Sequence, residues 1–149
     1  MEGFLKNCKV VRCKNAVAAG ATDITDATGV DTSGFEEVTF LVPFGTITTN
    51  AVTSIKAQQS DDDGSSDAYS DLEGSSVTVA DDQDNKIAIL TIRRPLKKYV
   101  KCVVLRATQN AVVDGIIAIL RHPRVRPVTQ DSTVMAASEE LAGPSEGTA

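Results

Sequence analysis

The chain has 149 residues and a formal net charge of −5, with aromatics at 4% and no tryptophan. That length suits one domain able to bury roughly two-thirds of its unfolded surface. The acidic balance excludes a general nucleic-acid binder, because phosphate binding runs on a basic excess, and so few aromatics leave little for an aromatic-lined ligand site.

Three cysteines, Cys8, Cys13 and Cys102, are an odd number and are expected as buried free thiols rather than a disulfide framework or a metal site. The N-terminus has no apolar run of signal-peptide length, and no segment approaches the roughly 20 apolar residues of a membrane span, so no membrane is expected. Lys6–Ala19 interleaves basic and apolar residues and reads as one or two edge strands; an amphipathic helix is the alternative. Gly20–Gly34, rich in Gly, Thr and Asp, reads as a loop with room for one short strand.

Phe35–Val42 alternates cleanly and is expected as a strand ended by Pro43. Gly45–Asn50 then reads as a turn or short strand leading into Val52–Gln59, and the spacing suggests a hairpin. The acidic stretch Ser60–Gly74 invites comparison with a calcium loop. Counting from Asp61, however, Leu72 stands where the closing glutamate belongs and Ser66 where the glycine belongs, so a solvated turn is the better reading. After a short strand at Val77–Ala80 and a turn at Asp81–Asn85 come three β-branched runs, Ile87–Ile92, Tyr99–Leu105 and Val112–Leu120. Their short breaks predict an antiparallel three-stranded meander.

Alternation nominates Val38, Phe40, Ile55, Ile89, Val100, Cys102, Val104, Ile117 and Ile119 for the core. The last strand is apolar at both parities, which predicts that it is covered on both sides, by the sandwich or by an interface. Arg121–Pro127 has prolines at 123 and 127, so an extended path is expected there and neither helix nor central strand. Thr129–Ala149 is too poor in bulky residues to order alone, although one helical turn fits Ser132–Leu141. The expected organisation is a β-sandwich domain over 1–128 and a flexible C-terminal arm over 129–149.

Catalysis has little to work with. A nucleophile–His scheme must use His122, the single histidine, which sits among arginines and has no carboxylate beside it in sequence. No glycine-rich phosphate loop and no His/Cys ligand spacing occurs, so no catalytic, cofactor or metal residues are nominated. Arg93, Arg94, Lys97 and Lys98 form a basic knuckle around Pro95. It reads most simply as a solvated turn, with docking on an acidic protein surface as the functional alternative.

From residue 35 to 128 the chain resembles a family of small proteins encoded among the structural genes of tailed bacteriophages. The resemblance rests on Gln59–Ser65, Asp71–Gly74, Tyr99–Lys101 and Arg121–Arg124, in their order along the strands. Such proteins are head-decoration, or cement, proteins with a jelly-roll-like β-sandwich. The resemblance implies an all-β, antiparallel sandwich or jelly roll of about eight short strands with extended terminal arms. It also implies a non-enzymatic role, decorating and stabilising a capsid by bridging subunits of the phage major capsid protein. The place would be the capsid exterior of the virion, after synthesis in the host cytoplasm. A homo-oligomer is expected, a dimer before a trimer, with Arg121, His122, Arg124 and Arg126 as candidate capsid or partner contacts. The other readings are a carbohydrate-binding, adhesin-like sandwich on the virion and a head–tail connector or tail component.

Overall fold

The structure, a computed structural model, describes residues 3–148; Met1 and Glu2 of the expected domain and Ala149 of the expected arm lie outside the described residues. One helical turn, α1 (Phe4–Asn7), precedes β1 (Lys9–Lys14), β2 (Val17–Gly20), β3 (Val30–Asp31), β4 (Phe35–Ile47), β5 (Val52–Ser60) and β6 (Ser70–Asp71). Then follow β7 (Val77–Val79), β8 (Ile87–Arg93), β9 (Tyr99–Ala107), β10 (Ala111–Val113) and β11 (Ile116–Pro123). Several of these are pieces of one ribbon: β10 and β11 both lie along β4, β1 and β2 lie along β11 and β10, and β6 and β7 both lie along β5.

Counted as ribbons, the strands form two antiparallel four-ribbon sheets. The first sheet has the order β1/β2, β10/β11, β4, β8, and the second β3, β9, β5, β6/β7. Numbered along the chain, these ribbons run 1-8-3-6 and 2-7-4-5, the order of a jelly roll. The expected sandwich of about eight strands is therefore the observed fold.

The meander is not. Although β8, β9 and β10/β11 are consecutive, β8 pairs with β4, β9 with β5 and β3, and β10/β11 with β4, so each connection crosses from one sheet to the other. The expected β4–β5 hairpin fails in the same way, since β5 pairs with β9 over its whole length. The physical reason is that facing sheets lie about 10 Å apart, a gap that three or four extended residues span as readily as they close a hairpin.

Pro43 does not end its strand. Opposite it, Leu41 pairs with Ile117 and Phe44 with Val113, so the partner ribbon carries one extra residue there, a β-bulge. A proline is tolerated at a bulge because no regular ladder donor is required of it. Gly115 makes the bulge possible: its φ is 128°, and a Cβ would stand 3.0 Å from the Lys14 carbonyl oxygen. The last strand also outruns its expected end, continuing through Arg121 and His122 to Pro123. By then β1 has stopped, because Lys9 pairs with Leu120, so Pro123 lies on an open edge.

Val38, Phe40, Ile55, Val100, Cys102 and Val104 are fully buried, as expected. Ile89, Ile117 and Ile119 are not core residues: Ala88 and Leu90 point inward on β8, and Ile116, Ala118 and Leu120 on β11. A strand apolar at both parities does not declare its inner face by hydrophobicity alone, and here the opposite parity won. All three thiols are free and buried. One buried cation completes the interior. Arg106 donates from Nε to the Thr22 carbonyl at 2.8 Å and from Nη1 to those of Ala18 (3.0 Å) and Ala111 (2.7 Å), tying the β2–β3 loop to β10.

Beyond residue 128 the described chain has no strand or helix, apart from one turn closed by the Met135 N–H on the Asp131 carbonyl. Its first residues lie along the N-terminal segment. The Val128 N–H donates to the Lys6 carbonyl. Gln130 accepts from the Val10 N–H and donates to the carbonyls of Leu5 and Cys8.

Candidate docking surface

The jelly-roll order brings two basic segments, far apart in sequence, to one end of the sandwich. β4 lies between β8 and β11, and its Glu37 has Arg93 as its cross-strand partner on one side and Arg121 on the other. The Glu37 carboxylate, almost wholly buried, receives the Arg93 guanidinium at 3.4 Å and that of Arg121 at 3.1 Å. Two cations sharing one anion leave this cluster with a net positive charge. The outer surfaces of both arginines stay exposed.

Beside this triad the chain turns from β8 into β9. Arg94 has a left-handed backbone, with φ 48°, and its N–H donates to the Glu36 carbonyl at 2.7 Å. Across the gap the Arg124 N–H donates to the Gly34 carbonyl at 2.8 Å, which holds the segment after β11 against the β3–β4 turn. A cleft of 580 Å³ opens between these elements, with Ser33, Glu36, Arg94, Leu96, Lys98 and Arg124 among its walls. A second hollow of 310 Å³, lined by Glu36, Glu37, Arg93, Arg94, Arg121 and His122, adjoins it.

Not every cation here is available to a partner. Lys97 bonds the Asp67 carboxylate at 2.5 Å, with Asp61 at 3.6 Å, so the acidic loop after β5 is fastened to the knuckle. That hydrogen bond to Asp67 is the main reason the Lys97 pKa is raised. Lys98 is likewise held cationic, first by Tyr99 and then by the charge of Asp31 at 3.5 Å. Among the described residues, Arg94 and Arg124 make no ion pair.

The candidate contacts from sequence thus divide. Arg121 and His122 line the smaller hollow and Arg124 the larger, whereas Arg126 lines neither. Sequence reasoning noticed Arg93, Arg94, Lys97 and Lys98 but had no means of joining them to Arg121–Arg124. It missed Glu37 as the shared anion altogether; its one trace was a carboxylate at the outward parity of a strand. The acidic loop is a built turn: Asp62 accepts from the N–H groups of Ser65 (3.0 Å), Ser66 (2.7 Å) and Asp67 (3.0 Å), so backbone donors occupy its carboxylate. A scan against protein-family models and a search of curated proteins each returned no match.

Proposed function

We propose that this protein is a non-enzymatic structural component of a bacteriophage virion, binding the capsid exterior and bridging neighbouring major capsid subunits through its basic end. The observation that carries the reading is the convergence of Arg93–Lys98 and Arg121–Arg124 on one end of a jelly roll, where Arg94 and Arg124, in no ion pair among the described residues, line a cleft with exposed Leu96, and exposed Val125 follows in sequence. Guanidinium groups flanked by apolar side chains suit a carboxylate-bearing protein surface. The resemblance of residues 35–128 to head-decoration proteins names that surface as a capsid. A protein that binds only the mature shell stabilises it by mass action, and symmetry repeats each weak contact many times over.

Co-sedimentation of the purified protein with expanded capsids tests the proposal. Binding that weakens with salt and is lost on combining Arg94→Glu with Arg124→Glu is the expected result. Unchanged affinity of the double variant removes the basic end from the mechanism. A chain truncated after Val128 then shows whether residues 129–149 contribute.

A further inference from the structure

The outer face of the first sheet is apolar and open. Leu41, Pro43, Ile87, Ile89, Ile117 and Ile119 stand in adjacent register across β8, β4 and β11: Ile89 pairs with Leu41, Leu41 with Ile117, and Pro43 with Ile87. Ile87 is 60% exposed, Ile89 56% and Ile117 38%. Scattered surface aliphatics need no explanation, but a contiguous sheet face of them does.

The two ends of this face carry opposite charge. At one end stand Arg93 and Arg121 around the single Glu37 carboxylate. At the other, past Pro43, Asp114 projects over Gly45, its Oδ1 standing 3.3 Å from where a Cβ would be, and exposed Asp84, just ahead of β8, accepts from the Ile47 N–H near the same end of β4. Neither aspartate has an ion-pair partner among the described residues.

We propose that this face is covered by a second copy of the chain, stacked sheet to sheet about a two-fold axis with the strands antiparallel. An isologous contact sets each patch against its own copy, and only the antiparallel arrangement lays Arg93 and Arg121 of one protomer over Asp84 and Asp114 of its partner. A parallel stacking would set arginines on arginines. Three ribbons about 4.8 Å apart, with about nine residues of β4 at roughly 3.3 Å each, give an apolar face on the order of 430 Å² in projection. With the side chains standing out from the pleat and the charged ends included, its accessible area approaches the roughly 800 Å² that each partner of a stable dimer buries. The contact does not rest on the capsid reading; it takes Arg93 and Arg121 from the basic end and leaves the Arg94–Arg124 cleft free.

Sedimentation equilibrium of the full chain tests it. A mass of twice 15.7 kDa is expected at micromolar concentration. Ile89→Lys should raise the dimer dissociation constant by at least about 30-fold, as loss of a central interface anchor does. Because Ile89 is exposed in the monomer, the circular dichroism spectrum of that variant should remain that of the parent, while its melting temperature should lose the dependence on protein concentration that dimerisation gives the parent. Arg121→Asp and Asp114→Arg should each weaken association, and combining them in one chain should restore it, since a two-fold axis perpendicular to the strands lays the β10/β11 ribbon on its own copy and pairs those positions twice. A monomeric parent overturns the proposal, as does a dimer indifferent to Ile89→Lys, and a charge swap without rescue overturns the antiparallel geometry. If the parent is monomeric and Ile89→Lys abolishes capsid co-sedimentation, the face belongs to the capsid instead.

Discussion

The two sheets of the sandwich share an interior but differ on their outer faces. Outside the second sheet, polar groups are satisfied within the chain. Lys56 reaches Asp71 at 2.7 Å, Gln58 reaches the same carboxylate, and Lys101 lies over the Tyr69 ring while bonding the Thr25 carbonyl. Outside the first sheet the one side-chain pair in the middle of the face, Thr39 with Thr91 at 3.0 Å, sits among bare isoleucines. One face is finished for water and the other is not. In a jelly roll built from equal sheets, that asymmetry is what the proposed contact between two copies rests on.

The comparison between buried and bare apolar positions is broken most sharply by one pair of substitutions. Val104→Asp places a carboxylate in a fully buried site between the sheets and should cost more than about 4 kcal/mol, enough to prevent soluble expression. Ile89→Asp, on the other sheet and facing outward, should change monomer stability by no more than about 0.5 kcal/mol in urea unfolding. Equal damage from both would show the parity of β8 to be inverted. Next in size is Arg106→Leu. It removes the donor from the carbonyls of Ala18, Thr22 and Ala111 and should destabilise by about 3 kcal/mol by the same measurement.

A smaller effect separates the interior from its margin by chemistry. Burial pushes the thiols of Cys13 and Cys102 up to about 12, whereas at Cys8 the rise from burial is opposed by Arg121. The thiolate is the reactive form, so at mildly alkaline pH iodoacetamide should label Cys8 slowly and leave Cys13 and Cys102 intact until the protein unfolds. Mass spectrometry of native and urea-treated samples reads this directly. Rapid native labelling of Cys102 would contradict the packing between the sheets.

Much of the fold was legible because alternation and β-branched residues mark strands locally, and β5, β8 and β9 stand close to where composition put them. Pairing was not, since a connection of four or five residues serves a hairpin and a sheet crossing equally well. The inner faces of β8 and β11 were legible in principle. Arg93 shares its parity with Ile87 and Ile89, and Arg121 shares its parity with Ile117 and Ile119; a charged residue at a strand end marks that parity as outward even when the aliphatics do not. The candidate site was half legible for the same reason as the sheets. Each basic segment shows in the sequence, but their adjacency depends on β4 lying between β8 and β11, which is a property of the topology.

The acidic loop between β5 and β6 offers the mildest test, and it asks whether finish on the second sheet's side extends to its turns. Asp62 has its carboxyl pKa held below the usual 3.8, first by the N–H of Asp67 and then by that of Ser66. A carboxyl whose folded value lies below its unfolded value stabilises above the unfolded value, and that contribution is lost as pH falls through the folded one. Amide protection at Ser65, Ser66 and Asp67 should therefore be full near neutral pH and decline only once the pH drops below 3.8. Asp62→Ala should remove the protection at every pH while leaving β5 and β9 unchanged. Asp63→Ala, which takes away the acceptor of the Tyr69 hydroxyl, should leave those three amides protected. Hydrogen exchange followed by NMR distinguishes the two. Protection that survives Asp62→Ala would mean that the ion pairs of Lys97 with Asp61 and Asp67, rather than the Asp62 turn, hold this loop against the basic end.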